Sequence, residues 1–205
     1  MGEKRFMSTK LKEESVATDP IERHFYEIIQ LIGEDPEREG LIETPKRIAK
    51  MYREIFSGLH ENPEEILQKT FPAEGTKDIV IVQDIPFYSV CEHHFVPFFG
   101  KVHIGYIPNE RIVGLSKFAR LVDVFARRPQ VQERITNEIV NTIQKVVNPL
   151  GVICVVEAEH MCMTMRGIKK PGSLTRTIAK SGVFDSGELP NYYEERFFKM
   201  LNKEI

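Results

Sequence analysis

Two short clusters of cysteine and histidine are the residues in this sequence best suited to chemistry. Cys91 and His94 lie three apart in a turn-like segment, and His160 and Cys162 lie two apart in an apolar run. That run predicts a strand, on which residues two apart share one face. Thiolate and imidazole suit zinc better than magnesium or calcium. The two clusters therefore predict a metal site.

The number of metal ligands stays open at this level. Four ligands would make a closed structural zinc site, whereas three ligands with one position left to water would make a catalytic site. Adjacent side chains rarely reach one ion, so His93 beside His94 suggests that one binds metal and the other transfers protons. The remaining cysteine, Cys154, lies in the apolar run VICVVEA and is predicted to be a core residue. We assign His103 no role.

Polar residues at the predicted starts of two helices form a second group of candidates. In GLSKFAR, the side chains of Ser116, Lys117 and Arg120 could bind phosphate together with the free N–H groups of the first helical turn. In the next helix, Glu133 beside Gln132 could accept the paired N–H donors of a guanine edge. Taken alone, each pattern is better explained by a capping serine, a solvated basic turn or a favourable helix dipole.

Positive charge is concentrated in the middle of the chain. Residues 101–180 carry 13 Lys and Arg against 6 Asp and Glu, although the whole chain has a net charge of −2. A basic loop, MRGIKKPGS, follows the second cluster and contains Arg166. A basic middle within a mildly acidic protein favours a local anion site over a nucleic-acid-binding surface.

The elements that must position these residues follow from apolar spacing. Helical spacing recurs over 19–33 and 44–58, and a short third helix is predicted near 62–69. Two strands follow, DIVIVQDIPFYSV, broken by Pro86, and KVHIGYIP; after two helices come the strands GVICVVEAEHMCM and LTRTIAK. Helices followed by β-β-α-α-β-β predict an α+β fold with antiparallel hairpins.

The chain of 205 residues suits one compact domain with an appended segment. We expect a flexible arm over 1–18, an N-terminal helical segment over 19–76 and a domain over 77–205 that contains the candidate catalytic residues. No apolar run approaches the ~18 residues that a transmembrane helix needs, and the N-terminus lacks the apolar core of a signal peptide. The sequence therefore predicts a cytoplasmic protein that binds no membrane.

Three segments resemble GTP cyclohydrolase I: CEHHFVPFFGKVHIGYIP, GLSKFARLVDVFARRPQVQERIT and HMCMTMRGIKKPGS. A fourth, TPKRIAKMYREIFSGL, resembles the helical part of the same family. The resemblance implies a tunnelling fold, in which β-β-α-α-β-β units of several subunits, each with helices on one face of its sheet, join into a barrel. It also implies a homodecamer with active sites between subunits.

The same resemblance implies a zinc enzyme that converts GTP and water to formate and 7,8-dihydroneopterin triphosphate, the first step of pterin biosynthesis. The implied Zn²⁺ ligands are Cys91, His94 and Cys162, with a fourth position left to water. The implied catalytic residues are His160, His93 and Ser116. The implied substrate contacts are Glu133 and Gln132 for guanine, and Lys117, Arg120, Arg166 and Arg47 for ribose and triphosphate.

Two other functions stay open. One is a zinc-stabilised oligomer that binds nucleotides or another protein without turnover. The other is a different tunnelling-fold enzyme that acts on a related pterin or deazaguanine. Enzymes of that type that reduce a nitrile use a cysteine nucleophile without this zinc set, so the pattern of Cys91, His94 and Cys162 argues against them.

Overall fold

The computed structural model describes residues 19–187 and 192–202 of the chain. The chain divides into two compact units, with the boundary between Glu54 and Ile55. The arm predicted over 1–18 lies outside the described residues, and the predicted division at residue 76 stays a prediction. Within the described ranges, no helix is both long enough and apolar enough to cross a membrane.

The N-terminal unit contains α1 (Pro20–Leu31) and most of α2 (Thr44–Ile55). The Asp19 carboxylate caps α1, since it accepts the Ile21 N–H at 3.0 Å and is followed by a proline at the first helical position. Arg53 pairs with the same carboxylate at 2.6 Å, and this hydrogen bond lowers the pKa of Asp19. The predicted first helix is confirmed.

The second unit follows the predicted order of strands and helices. Its elements are a 3₁₀ turn at Ser57–His60, α3 (Pro63–Leu67), β1 (Thr70–Pro72), β2 (Val80–Cys91), β3 (Pro97–Ile107), β4 (Arg111–Val113), α4 (Leu115–Ala126), β5 (Pro129–Gln130), α5 (Gln132–Val147), β6 (Gly151–His160), α6 (Met161–Thr164), β7 (Leu174–Gly182), a 3₁₀ turn at Val183–Asp185 and α7 (Tyr192–Leu201). The α+β class is confirmed, and the predicted β-β-α-α-β-β order corresponds to β2, β3, α4, α5, β6 and β7. The elements β1, β4, β5, α6 and α7 are additions that the sequence did not predict.

Five strands form the main sheet in the order β5-β2-β3-β6-β7, while β1 and β4 pair separately. Within the main sheet, β5 is parallel to β2 and all other neighbours are antiparallel. The start of β3 lies opposite the ends of two strands, because Val90 pairs with Pro97 and His160 pairs with Phe98. The two cysteine–histidine clusters, 66 residues apart at their nearest, are thereby brought to one end of the sheet.

Apolar side chains cover both faces of the sheet. Val102, Ile104 and Tyr106 of β3 pack in the main core with residues of α4 and α5. On the other face, Phe197 of α7 packs with Ile107 and its neighbours in a second, smaller core. The prediction that helices cover one face of the sheet is therefore correct for α4 and α5. It did not include α7, which packs on the other face.

Two predicted strand boundaries are wrong. β2 runs through Pro86 without a break, and its irregularity is a bulge between Val82 and Ile85, where Asp84 adopts φ = 57°. β6 ends at His160, so Cys162 lies in the one-turn helix α6 and shares no strand face with His160. The methionines that flank Cys162 are better helix formers than the β-branched residues that precede them in β6.

Candidate metal centre and active site

A tight turn after β2 brings His94 back towards Cys91. The Cys91 N–H donates to the Val96 carbonyl at 2.9 Å, and the Phe95 N–H donates to the Cys91 carbonyl at 2.8 Å. Phe95 adopts φ = 54°, a left-handed conformation that a bulky residue rarely takes. The turn places His94 Nδ1 3.9 Å from Cys91 Sγ.

Cys162 completes a group of three metal-binding side chains. One ligand atom from each of Cys91, His94 and Cys162 lies within 4.8 Å of the others. No second group of three or more such residues occurs in 19–187 and 192–202, and His160 is not a member of this one. The structure thus brings together the three residues predicted as ligands and leaves the fourth candidate outside.

The chemistry of these three donors fits zinc. Zn–S bonds of about 2.3 Å and Zn–N bonds of about 2.0 Å at tetrahedral angles separate sulfur from nitrogen by about 3.6 Å. The Sγ–Nδ1 distance of 3.9 Å between Cys91 and His94 needs only a small adjustment to meet that value. Burial, followed by the neighbouring Cys91 sulfur, raises the pKa of Cys162, so two thiolates need a cation between them.

His160 is held away from the three ligands by Gln132. The Gln132 amide nitrogen donates to the carbonyls of Val156 at 2.9 Å and Thr175 at 3.0 Å, which can only accept. The amide oxygen must therefore face His160 Nε2, 2.8 Å away, and Nε2 must carry the proton. The His160 ring also stacks on Phe98, with centroids 4.6 Å apart.

The second ring nitrogen of His160 remains available for proton transfer. Among the described residues, no hydrogen bond to Nδ1 is formed. Burial lowers the pKa of His160, while the negative charge of Glu133 acts in the opposite direction. A neutral imidazole with one fixed and one free nitrogen is suited to take up a proton and deliver it.

The predicted guanine contacts occupy different environments. Gln132 is only 1% exposed, and its amide is fully used by protein groups, so no edge of it is open to a ligand. Glu133, the next residue, lies exposed in the first turn of α5. Of these two residues, only Glu133 has a polar side-chain group that is open to solvent.

The residues predicted to bind phosphate lie at the start of α4 and in the loop after α6. Gly114 precedes α4 and no side chain caps its first turn, so the alternative of a capping serine at Ser116 is wrong. Ser116 and Arg120 are exposed, and Lys117 is half-buried. Arg166 is exposed in the basic loop between α6 and β7. Arg47 belongs to the other unit, within α2.

Sequence patterns alone missed an ion pair beside the metal ligands. Arg134 donates through both terminal nitrogens to Glu92, with Nη1–Oε2 at 2.5 Å and Nη2–Oε1 at 3.1 Å. This hydrogen bond lowers the pKa of Glu92. His93, predicted to transfer protons, is exposed and lies 3.9 Å from the Cys91 sulfur. In the sequence, the only indication of the pair between Glu92 and Arg134 is that each residue lies next to a candidate site residue.

Comparison with known proteins decides the family. A sequence profile described as GTP cyclohydrolase I matches residues 21–200, which is most of the chain. The chain belongs to the GTP cyclohydrolase I family. Proteins named GTP cyclohydrolase 1 from Bacillus mycoides (strain KBAB4) and Bacillus cereus (strain B4264) are each 56% identical to it over 172 residues, which cover 83% of this chain and 90% of the relative.

All residues predicted for the metal and substrate sites fall inside the range matched to GTP cyclohydrolase I. Among solved structures, the apo form of an archaeosine synthase described as QueF-Like is similar, with a TM-score of 0.44 and 21% identity. That likeness covers 51% of this chain and 94% of the other. As a member of the GTP cyclohydrolase I family, the chain is an enzyme.

Proposed function

We propose that this chain converts GTP and water to formate and 7,8-dihydroneopterin triphosphate, the first step of folate or tetrahydrobiopterin biosynthesis, with Zn²⁺ as cofactor. The observation that carries the proposal is the group Cys91, His94 and Cys162, whose ligand atoms lie within 4.8 Å of one another. Family membership supports GTP as the substrate. The position of His160 outside this group supports three ligands and an open fourth position.

Cys91, His94 and Cys162 would hold the zinc ion through two thiolates and one neutral imidazole. Zinc, when bound, supplies the Lewis acidity that makes a water molecule nucleophilic at neutral pH. The protein contributes a site at the end of the sheet, where Cys91 is buried and His94 is exposed. One side of the site is therefore open to a substrate.

His160 would deliver a proton to N7 of guanine. Protonation of N7 makes C8 electrophilic enough for water to attack. Because Gln132 fixes the proton on Nε2, the proton that moves must be carried by Nδ1. Burial lowers the pKa of His160, so the protonated ring is a stronger acid than free histidine and gives up its proton more readily.

The guanine edge would be recognised by Glu133. Its exposed carboxylate can accept two hydrogen bonds, from N1–H and from the exocyclic amine. We assign Gln132 an indirect part in guanine binding, through the orientation of His160, since its amide is engaged by Val156, Thr175 and His160.

The sugar and triphosphate would be held by cations and a hydroxyl. The contacts are Ser116, Lys117, Arg120, Arg166 and Arg47. The triphosphate does not react, so its binding energy serves to orient the purine over the metal centre. His93 and Ser116 would act on the ribose, which must open and rearrange after the imidazole ring is cleaved.

The atoms of the reaction balance with one net water. A first water adds at C8 and opens the ring to a formamide, and a second releases formate. The ribose then opens, rearranges in Amadori fashion and closes onto the pyrimidine amine with loss of one water. Two waters enter and one leaves, which gives the proposed products.

We further propose that the active enzyme is a cytoplasmic homodecamer with sites between subunits, without nucleic-acid or membrane partners. The edge of the main sheet supports this assembly. β7 is nine residues long and, in the part of the chain that is described, pairs with a strand on one side only. Leu174 and Ile178 on this strand are more than half exposed, although both are large and apolar. An edge of this kind is suited to strand pairing with a second copy.

The direct test is turnover of GTP by zinc-loaded protein. Products are oxidised and measured by pterin fluorescence, and formate is measured separately. We expect both products in equal amounts, and neither from metal-stripped protein. If zinc-replete protein binds GTP but releases neither product, the proposed reaction fails, and GTP binding without turnover is what the alternative of a zinc-stabilised binding module predicts.

A further inference from the structure

The ion pair between Glu92 and Arg134 joins the two parts of the site that must face one substrate. Glu92 directly follows the ligand Cys91 in the turn after β2. Arg134, 42 residues further on, directly follows Glu133 in the first turn of α5. One residue of the pair thus sits in the metal-binding turn and the other in the turn that carries the guanine contact.

The hydrogen bonds of the pair fix both the distance between the two side chains and their relative orientation. Two parallel hydrogen bonds, from Nη1 to Oε2 and from Nη2 to Oε1, align the guanidinium plane with the carboxylate. Arg134 Nη1 also donates to the Gln130 side-chain oxygen at 3.2 Å, and the Glu92 N–H donates to the Gln130 carbonyl at 3.0 Å. Gln130 itself is 2% exposed and is held by the Phe125 carbonyl.

The two side chains of the pair engage each other, Arg134 also engages the Gln130 side chain, and Glu92 Oε1 lies 3.9 Å from His93 Nε2. Glu92 is 31% exposed and Arg134 is 45% exposed, so the pair adds little to folding stability. Its effect is instead on position, because an error of about 1 Å between a metal centre and a substrate contact can reduce the rate about 100-fold.

We propose that Glu92 and Arg134 form a positioning clamp that sets the distance between the metal-binding turn and the guanine-binding turn of α5. The proposal rests on the proposed function, since it assumes that one substrate spans both turns. Neither residue contacts the reacting atoms. Glu92 acts through Cys91 and His94, and Arg134 acts through Glu133.

A double-mutant cycle tests the clamp. Glu92→Gln keeps the shape and removes the charge, and Arg134→Lys keeps the charge and removes the two-pronged geometry. We expect each single variant to lower kcat about 10- to 100-fold with little change in KM. The kcat of the double variant should be no lower than that of the less active single variant, because one broken contact already releases the clamp.

Zinc affinity, measured by competition with a chelator in the absence of GTP, gives a readout that does not depend on turnover. Each single variant should weaken zinc about 10-fold, and the double variant should be no weaker. Glu64→Gln, which breaks the exposed pair with Lys145 on another surface, is the matched control and should leave both quantities unchanged.

Three outcomes overturn the clamp. Losses that multiply in the double variant would mean that the two residues act independently. A raised KM with unchanged kcat in Arg134→Lys would mean that Arg134 binds substrate directly. Unchanged zinc affinity in both single variants would mean that the pair does not position the metal-binding turn. If the wild type itself fails to convert GTP, the proposed function fails, and the zinc measurements still decide the clamp.

Discussion

Two regions of the sheet each hold a histidine among charged residues, but they use it differently. At the metal end, defined by Cys91, His94, His160 and Cys162, His160 gives Nε2 to Gln132 and keeps Nδ1 free. At the bulge between Val82 and Ile85, His103 accepts the Asp84 backbone N–H with Nδ1 at 3.1 Å.

Burial lowers the pKa of both histidines, so burial does not distinguish them. The difference lies in the partner. His103 satisfies a backbone donor that the bulge would otherwise leave unpaired, and it is 5% exposed. His160 is oriented by a side chain whose own donors are bound elsewhere. A histidine is thus available for chemistry when the fold fixes one ring nitrogen and leaves the other.

The largest effect that separates the two regions is loss of the metal. Cys162→Ser and His94→Ala each remove one of the three proposed ligands, so we expect both to lose stoichiometric zinc and all turnover. Elemental analysis of purified protein measures this. Cys154→Ala is the control, because the Cys154 side chain is fully buried in the main core; it should keep zinc. Stoichiometric zinc in Cys162→Ser would remove that cysteine from the ligand set.

The orientation of His160 should depend on Gln132. Gln132→Leu removes the acceptor for Nε2 and the donor to the carbonyls of Val156 and Thr175, so we expect kcat to fall about 10- to 100-fold, part of what a positioned acid contributes. We also expect a loss of about 1–3 kcal/mol in the free energy of unfolding. Zinc content should not change. A Gln132→Leu variant with wild-type kcat would contradict this role.

The far face of the sheet should affect stability without affecting the site. Phe197 is fully buried beneath α7, and a Cβ on Gly105 would lie 2.7 Å from its ring. Phe197→Ala should therefore cost about 3–5 kcal/mol of unfolding free energy, measured by denaturant titration. Lys199→Ala, on the exposed side of α7, should change it by less than about 0.5 kcal/mol. Loss of zinc in folded Phe197→Ala would show that the two regions are coupled.

The smallest effect concerns pH. Burial lowers the pKa of His103 and outweighs the opposite effects of Asp84 and Glu157, so the folded pKa lies below the unfolded one. The charges of Lys101 and Arg176 act in the same direction as burial. The unfolded chain therefore binds more protons as pH falls through about 6.5, and folding stability decreases. His103→Gln removes this contribution, so its stability should fall less than that of the wild type between pH 7 and 5. If the folding stabilities of the wild type and His103→Gln fall in parallel between pH 7 and 5, His103 makes no such contribution.

Residue type and spacing predicted a metal site from the two cysteine–histidine clusters, and the resemblance to GTP cyclohydrolase I reduced the four candidate ligands to three. The predicted group of Cys91, His94 and Cys162 comes together as expected. The predicted backbone around Cys162 was wrong, since Cys162 lies in a one-turn helix and not on a strand. The three candidate ligands thus lie together even though the local backbone prediction failed.

Contacts between distant elements were not predictable from spacing. The side chain of Gln132 meets Val156 and Thr175 only because α5 packs on the sheet in one register, 24 and 43 residues along the chain. Arg134 meets Glu92 for the same reason. Such partners are set by tertiary packing, which no local periodicity encodes. The same holds for α7, whose Phe197 packs against a glycine of β3.

The zinc content and turnover of His160→Ala test most directly the claim that three residues bind the metal and a fourth moves protons. We expect one zinc per chain, as in the wild type, with formate and pterin production reduced by at least about 100-fold. Loss of zinc in this variant would make His160 a fourth ligand and the site a closed structural one. Wild-type turnover would remove His160 from the chemistry.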